Sequence, residues 1–138
     1  HRYLNSYPTR RSSDLQRLIR RLCRHCRESV EVVHGGIEAR LMGDQALGRT
    51  VYRHHPGGCE ACDYQGYKGR LAIMELLRVD SAMDELITRN ATQGELAAHA
   101  LTNGFQPIAE DGLRRVLEGV TSIEEVGRVV DLTVRLAG

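Results

Sequence analysis

The segments CRHC (residues 23–26) and CEAC (residues 59–62) contain all four cysteines of this 138-residue chain. Two residues separate the cysteines of each segment, so one tight turn can direct both thiolates toward a common centre. Two such pairs supply four ligands, and four thiolates around one ion are typical of structural zinc. The pattern therefore predicts one structural zinc ion held by Cys23, Cys26, Cys59 and Cys62.

The residues alone leave three other uses of these cysteines open. Two disulfides are possible in principle, although the amino terminus lacks the apolar run of a secretory signal peptide. Redox-active Cys-x-x-Cys pairs are the second alternative, although neither pair lies in a recognisable βαβ setting. The third is histidine in place of one ligand, because His25 lies inside the first pair and His54 and His55 precede the second.

The balance of charge and the lack of long apolar runs argue against two classes of protein, nucleic-acid-binding and membrane-spanning. The chain carries 19 Lys and Arg against 18 Asp and Glu, a balance that argues against a general nucleic-acid-binding protein. No stretch approaches the roughly 18 consecutive apolar residues of a membrane span. With neither a span nor a signal peptide, we expect an intracellular, reducing location, where cysteines serve as ligands more often than as disulfides.

Apolar residues are unevenly distributed and suggest three parts. Residues 1–15 (HRYLNSYPTRRSSDL) show no helical or strand periodicity and are predicted to be disordered or a non-native leader. Residues 16–70 are rich in Gly, Arg and His, and we expect a zinc-binding lobe there because the apolar side chains are too few for a core. Residues 71–138 are dense in Leu, Ile, Val and Ala and are predicted to form a helical subdomain.

The interval between the cysteine pairs, residues 27–58, is longer than the roughly 15–20 residues usual between zinc-ribbon pairs. It must therefore carry structure of its own. Short strands are predicted at residues 30–33 and 50–53, with a helix at residues 37–47 that Gly43 weakens.

A further helix is predicted to begin at Gln16 and to lead into the first cysteine pair. Its apolar side chains, at three- and four-residue spacing, are Leu15, Leu18, Ile19 and Leu22. The other side carries Arg17, Arg20, Arg21 and Arg24. The simplest interpretation of these arginines is a solvated face, and the residues leave open a basic stripe for an acidic partner or a phosphate or nucleic-acid site.

In the carboxy-terminal half, residues 70–77 fit either a strand or a buried helical turn. Their flanks favour a strand that ends near Val79, and about four helices are predicted after it. Helix starts are predicted at Ser81 with Asp84, Thr92 with Glu95, and Thr121 with Glu124. Pro107 suits the first turn of a helix and Gly104 the residue after the end of one. The expected fold class is α+β and mostly helical, with short strands around the cysteines and a bundle of about four helices after them.

The sequence offers no catalytic residues. It contains no G-x-x-x-x-G-K-[ST] phosphate loop and no strand that ends in paired acids for magnesium. Gly66, Gly69 and Arg70 form a glycine-rich turn after the second cysteine pair. We interpret it as a tight turn into the next strand, with backbone contact to a phosphate as the alternative.

Three segments together resemble one family, the type II secretion and type IV pilus-assembly ATPases. They are residues 16–26 (QRLIRRLCRHC), residues 58–80 (GCEACDYQGYKGRLAIMELLRVD) and residues 104–130 (GFQPIAEDGLRRVLEGVTSIEEVGRVV). The first resembles the family's approach to its first cysteine pair, the second contains its G-Y-x-G-R-x-x-I-x-E-L-L run, and the third keeps D-G-L and G-x-T-[ST]-x-E-E-V. Residues 63–65 depart from the small residues usual in the family, but no ligand is lost.

The resemblance implies a parent protein that is a homo-hexameric ATPase, cytoplasmic and bound to the bacterial inner membrane through platform proteins. The family's phosphate loop, acidic boxes and histidine box lie upstream of the segment that matches Gln16, so we expect them to be missing here. The chain is then a carboxy-terminal fragment, inactive alone, whose structural zinc lobe and helical cap couple ATP hydrolysis to pilus or pseudopilus assembly.

The resemblance also implies the cofactors and partners of that parent. ATP and Mg²⁺ bind only in the full-length protein, and the fragment's partners are the missing nucleotide-binding domain and the inner-membrane platform, with no nucleic acid expected. The alternative function is a free-standing zinc-dependent module that contacts protein or RNA through its arginine-rich residues 17–27.

Overall fold

A computed structural model describes residues 11–102 and 104–133. The described elements are β1 (Arg11–Leu22), β2 (Glu28–Glu31), α1 (Ile37–Met42), β3 (Thr50–Arg53), β4 (Tyr67–Val79), α2 (Ser81–Thr88), α3 (Gln93–Thr102), α4 (Ile108–Leu117) and α5 (Ile123–Val129). Single 3₁₀ turns lie at Asp44–Ala46 and Glu60–Cys62. The predicted class is confirmed: short strands surround the cysteines and four helices follow them.

The strands form two separate two-stranded sheets. β1 pairs with β4, and β2 pairs antiparallel with β3, where Glu28 lies opposite Arg53. The strand predicted at residues 50–53 is confirmed, whereas the one predicted at residues 30–33 begins and ends two residues earlier. Val32 is buried just after β2, with its N–H bonded to the Arg49 carbonyl at 2.9 Å.

The helix predicted from Gln16 is wrong, because these residues belong to β1. Burial alternates as it does along a strand, since Ile19 is fully buried and its neighbour Leu18 is 57% exposed. Hydrogen bonding to β4 thus overrides an apolar spacing that also fits a helix. The arginines do not share one face, because Arg20 and Arg21 point to opposite sides of β1.

The prediction of a disordered or non-native leader falls on residues 1–15. Residues 1–10 lie outside the described part of the chain, and residues 11–15 begin β1. The helix predicted at residues 37–47 stops at Met42, because Gly43 adopts a positive φ of 91° and a separate 3₁₀ turn follows.

Packing divides the described chain into two compact units. One comprises Arg17–Ile73 together with the described residues from Ala109 onward, and it contains every cysteine, α5 and nearly all of α4. The other joins Met74–Ile108 to the described residues up to Gln16 and contains α2 and α3. Packing therefore groups the last two helices with the cysteine-bearing residues, and the predicted domain boundary near residue 70 remains a prediction.

The core of the cysteine-bearing unit is built from segments far apart in sequence. Ile19 of β1, Ile73 of β4, Val116 of α4 and Val126 of α5 are all fully buried. A Cβ added at Gly112 would lie 2.7 Å from a Val126 methyl group, so α4 and α5 approach at a distance that only glycine allows.

Two helix starts differ from prediction by one residue. Asp80, not Ser81, caps α2 by accepting a bond from Met83 N at 2.8 Å. The capping box of Thr92 and Glu95 before α3 is confirmed, with reciprocal bonds of 3.1 and 3.2 Å.

Within the described ranges, no helix combines the length and hydropathy that crossing a bilayer requires.

The start of α5 also shifts by one residue. Thr121 does not cap α5, and its hydroxyl instead donates to the Arg20 carbonyl at 2.8 Å. Ser122 takes that position and accepts from Glu125 N at 3.1 Å. The shift turns Glu125, rather than Glu124, into the core.

Candidate metal centre

The four cysteines converge on one point. Their Sγ atoms all lie within 4.8 Å of one another, although one pair follows β1 and the other precedes β4. The separations are 3.8 Å for Cys23–Cys59, 3.9 Å for Cys26–Cys62 and 3.8 Å for Cys59–Cys62. A regular tetrahedron with metal–sulfur bonds of about 2.3 Å has edges of about 3.8 Å. The four sulfurs therefore form a possible metal site whose size suits zinc.

The same distances exclude disulfides in this conformation. A disulfide places its sulfurs about 2.05 Å apart, and all four cysteines are free. The three nearby histidines lie outside the cluster. His54 stacks on Tyr67 with ring centroids 5.0 Å apart, and His55 Nδ1 lies 2.5 Å from a Glu28 carboxylate oxygen.

Backbone hydrogen bonds hold the first pair against two other segments. Leu22 N donates to the Val120 carbonyl at 2.8 Å, and Cys23 N donates to the Gly66 carbonyl at 3.0 Å. Arg27 N closes the turn by donating to the Cys23 carbonyl at 3.1 Å. These bonds place the end of β1 between the loop before α5 and the turn after the second pair.

The second pair lies on the 3₁₀ turn, and positive φ values follow it at Asp63 (54°) and Tyr64 (62°). These two residues reverse the chain so that it passes back over the sulfur. Cys62 Sγ then accepts hydrogen bonds from Cys59 N at 3.2 Å and from Gly66 N at 3.1 Å. Such N–H donors to a ligating sulfur are a typical outer shell of a thiolate metal site.

The surroundings lower the pKa of one thiol, Cys62, and raise the pKa of another, Cys26. Burial raises the pKa of Cys62, but the N–H groups of Cys59 and Gly66 outweigh it and bring the value to about 6. Burial also raises the pKa of Cys26, which hydrogen bonds with the neighbouring thiols bring to about 12. Four neighbouring sulfurs can all lose their protons only when a cation balances the charge.

Gly58 is the glycine that the second pair needs. A Cβ at this position would lie 2.4 Å from the Tyr64 carbonyl carbon and 2.7 Å from Gly66 N, and its φ is +61°. At Gly57, whose φ is +83°, an added Cβ meets nothing within 4 Å.

We therefore expect Gly58→Ala to displace the turn and destabilise the fold by about 3 kcal/mol or more, since backbone atoms cannot yield as a side-chain end can. Gly57→Ala is the matched control and should cost only the left-handed backbone strain, about 1 kcal/mol. Chemical denaturation with zinc present measures both. Equal losses in the two variants would contradict the close approach at Gly58.

A buried ion-pair network in the same unit escaped the sequence-based reasoning. The side chain of Glu125 is fully buried, whereas those of Arg20 and Arg128 are about half exposed. Its carboxylate accepts from Arg20 N, Nε and Nη2 at 2.8, 3.1 and 2.8 Å, and from Arg128 Nε and Nη2 at 3.1 and 2.7 Å. Burial raises the pKa of Glu125, but these bonds outweigh it and hold the value at about 2.

Tyr67, the first residue of β4, connects the second cysteine pair to this network. Its hydroxyl lies 2.8 Å from Ser122 Oγ. The Arg20 guanidinium lies 4.2 Å from its ring centroid, and His54 stacks on the ring. The segment that follows the second cysteine pair and the start of α5 are therefore joined by polar contacts as well as by the apolar core.

Comparison with known proteins places these features in one family. A family model described as type II/IV secretion system protein matches residues 14–128. The chain is 38% identical over 118 residues to the type IV pilus assembly ATPase TfpB of Acinetobacter baylyi, which covers 86% of this chain and 20% of that protein. It is 43% identical over 115 residues to the type II secretion system protein E of Pseudomonas aeruginosa, with 83% and 22% covered.

A third relative gives a similar match. The chain is 40% identical over 114 residues to the type IV pilus assembly ATPase PilB of Thermus thermophilus, which covers 80% of this chain and 12% of that protein. The chain thus spans about a fifth of the length, or less, of these curated relatives. The family match includes both cysteine pairs, the turn after the second pair and all but the last residue of α5, and it confirms the resemblance seen in the sequence. The chain belongs to the type II/IV secretion system protein family.

Proposed function

We propose that this chain is the zinc lobe and helical cap of a type II secretion or type IV pilus-assembly ATPase, and that it couples ATP hydrolysis to pilus or pseudopilus assembly. The observation that carries the proposal is the convergence of four Sγ atoms within 4.8 Å in a chain of this family. Relatives named for either secretion or pilus assembly match it over similar lengths.

The metal in this proposal is zinc, held by Cys23, Cys26, Cys59 and Cys62. Four thiolates fill a tetrahedral ion and leave no position for water or substrate, so the ion is structural rather than catalytic. Its contribution suits a lobe with a thin core, because a structural zinc supplies on the order of 10 kcal/mol of apparent folding free energy at neutral pH.

The parent protein supplies the chemistry in this proposal. ATP and Mg²⁺ bind to its nucleotide-binding domain, and the assembled protein is a cytoplasmic hexamer attached to the inner membrane through platform proteins. The bonds from Glu125 to Arg20 and from Tyr67 to Ser122 support a mechanical role for the lobe. Because they tie the cysteine lobe to α5, nucleotide-driven movement would carry both as one body to the platform.

ATP turnover by the chain alone tests the proposal that the catalytic core lies elsewhere in the parent protein. We expect turnover no higher than the buffer blank, because the 138 residues contain no phosphate loop and no strand that ends in paired acids for magnesium. A coupled-enzyme assay with Mg²⁺ and ATP measures this directly. Turnover similar to that of an intact secretion ATPase would refute the proposal that the catalytic core lies elsewhere.

A segment exchange tests the coupling role. Residues 16–131 of this chain would replace the matching segment of the Pseudomonas aeruginosa type II secretion system protein E, which is 43% identical over 115 residues. We expect secretion to persist with the four cysteines intact and to be lost with Cys23→Ser and Cys59→Ser together. His25→Ala, inside the first pair, is the control and should leave secretion intact. Secretion that survives the double cysteine substitution would contradict a role for the metal.

A further inference from the structure

A groove of about 350 Å³ lies beside the first cysteine pair, in the cysteine-bearing unit. Its lining is dominated by cationic side chains. The charged residues that line it are Arg21, Arg24, Arg27, Lys68 and Glu118, and His25 and Cys23 lie beside them. We infer that this groove binds a small phosphate-bearing anion, with a diphosphate group as the ligand that its charge and size suit.

The positive charge of the groove does not follow from the composition of the whole chain. The whole chain carries a net charge of only +1, yet three arginines and a lysine meet here against the single acid Glu118. That acid already pairs with Arg115, whose Nη1 lies 3.1 Å from its carboxylate. Like charges gathered in a concave site repel one another and attract a counter-ion, so a bound anion stabilises the arrangement.

Two of the cationic side chains are available to a ligand. Within the described ranges, Arg21 and Arg24 form no ion pair, and both are exposed. Their neighbours in sequence are committed elsewhere, Arg20 to Glu125 and Arg27 to the Gly119 carbonyl at 2.6 Å. Arg27 therefore lines the groove while also holding the fold, whereas Arg21 and Arg24 face the groove without an acidic partner among the described residues.

The walls of the groove are fixed in position. The bond from Leu22 N to the Val120 carbonyl at 2.8 Å holds the end of β1 against the loop before α5. On the side of β4, Lys68 Nζ donates to the Ala61 carbonyl at 3.0 Å. Binding an anion would therefore order only the ends of Arg21 and Arg24, and a preformed site of this kind binds with little entropic cost.

The chemistry of the lining favours phosphate over carboxylate. Guanidinium groups bind phosphate oxygens in a bidentate manner, and a diphosphate offers several such oxygens and more than one negative charge. A carboxylate offers one charge against four permanent cations. The inference does not depend on the proposed ATPase role, because every lining residue belongs to this chain and to one of its units.

Titration of the full zinc-loaded chain with inorganic pyrophosphate tests the inference. Isothermal calorimetry gives the Kd, and amide chemical shifts should move at residues 21–25, 68 and 118–120. Arg21→Gln with Arg24→Gln should raise the Kd about tenfold or more. Arg40→Gln with Arg49→Gln removes the same charge from exposed positions outside the groove and should change it less than about twofold. Zinc content and circular dichroism after titration check that all variants stay folded.

A second arm identifies the source of the phosphate. Flotation with phosphatidic acid vesicles, whose phosphomonoester headgroup carries more than one negative charge, with and without pyrophosphate, distinguishes a lipid headgroup from a free phosphate compound. Binding in either arm that depends on Arg21 and Arg24 supports the inference. Absence of binding in both arms, equal binding by the groove variant and the wild type, or binding to generic RNA alone would overturn it.

Discussion

Cys59→Ser is expected to abolish stoichiometric zinc binding and to unfold the cysteine-bearing unit. Losing one thiolate removes most of a free energy that is on the order of 10 kcal/mol in structural zinc sites. That amount is comparable to the whole stability of a typical domain, about 5–15 kcal/mol. Zinc per chain by elemental analysis and the dispersion of amide NMR signals measure the two effects.

Cys59 is the informative ligand to remove, because it is only half-buried. Cys23 and Cys62 are 1% and 3% exposed, so their substitution would mix lost packing with lost metal. His25→Ala is the matched control, since it changes a side chain inside the first pair without touching a sulfur. The prediction fails if Cys59→Ser retains about one zinc per chain and a dispersed spectrum, or if His25→Ala loses the metal as well.

Glu125→Gln is expected to lower the free energy of unfolding by about 2–3 kcal/mol at pH 7, since it removes a buried charge that two guanidiniums share. The half-exposed arginines can regain water, which keeps the loss below that of a fully buried pair. Urea unfolding of the zinc-loaded proteins measures it. Glu124→Gln, an exposed neighbour in the same helical turn, should change stability by less than about 0.5 kcal/mol.

The effect of Glu125 should also depend on pH in a defined direction. Its pKa falls from 4.5 to about 2 on folding, so the folded state favours the ionised form. The stabilisation is complete above pH 4.5 and declines as pH falls toward 2. The difference between wild type and Glu125→Gln should therefore shrink across that range. The comparison applies at each pH where both proteins keep their zinc, and a difference that stays constant there as the pH falls below 4.5 would contradict the lowered pKa.

The sequence predicted the convergence of the four cysteines better than the elements around them. Cys-x-x-Cys spacing is a local property, because a single turn determines where both sulfurs point. The clustering of the four sulfurs was therefore predictable although the two pairs are far apart in the chain. The strand at Thr50–Arg53 and the capping box of Thr92 and Glu95 were local in the same sense.

Features that depend on distant pairing were predicted poorly. The spacing of Leu15, Leu18, Ile19 and Leu22 fits a helix, and only hydrogen bonding to β4 makes it a strand. Glu125 is buried because α5 starts one residue later than predicted, with Ser122 as its cap, while Thr121 bonds to the Arg20 carbonyl. Neither the strand conformation of β1 nor the start of α5 can be predicted from the local sequence, since each depends on a partner about fifty or more residues away.

The cationic groove beside the first cysteine pair also depends on packing between distant segments and could not be predicted from the sequence. Arg21 and Arg24 stood out as basic residues, but Lys68 and Glu118 join them only through the packing of β4 and α4 near the first cysteine pair. Composition could not reveal the cluster, because the net charge of the chain is close to zero. A local charge excess in a balanced chain becomes visible only when the fold is known.

X-ray absorption at the zinc edge, on the reduced and purified chain at neutral pH, tests the metal site most directly. Four sulfurs around one ion predict near-unit zinc content and a single shell of four sulfur neighbours at about 2.3 Å, with no nitrogen or oxygen ligand. A chain that holds no metal, or whose zinc has histidine or water in its shell, would contradict the tetracysteine site.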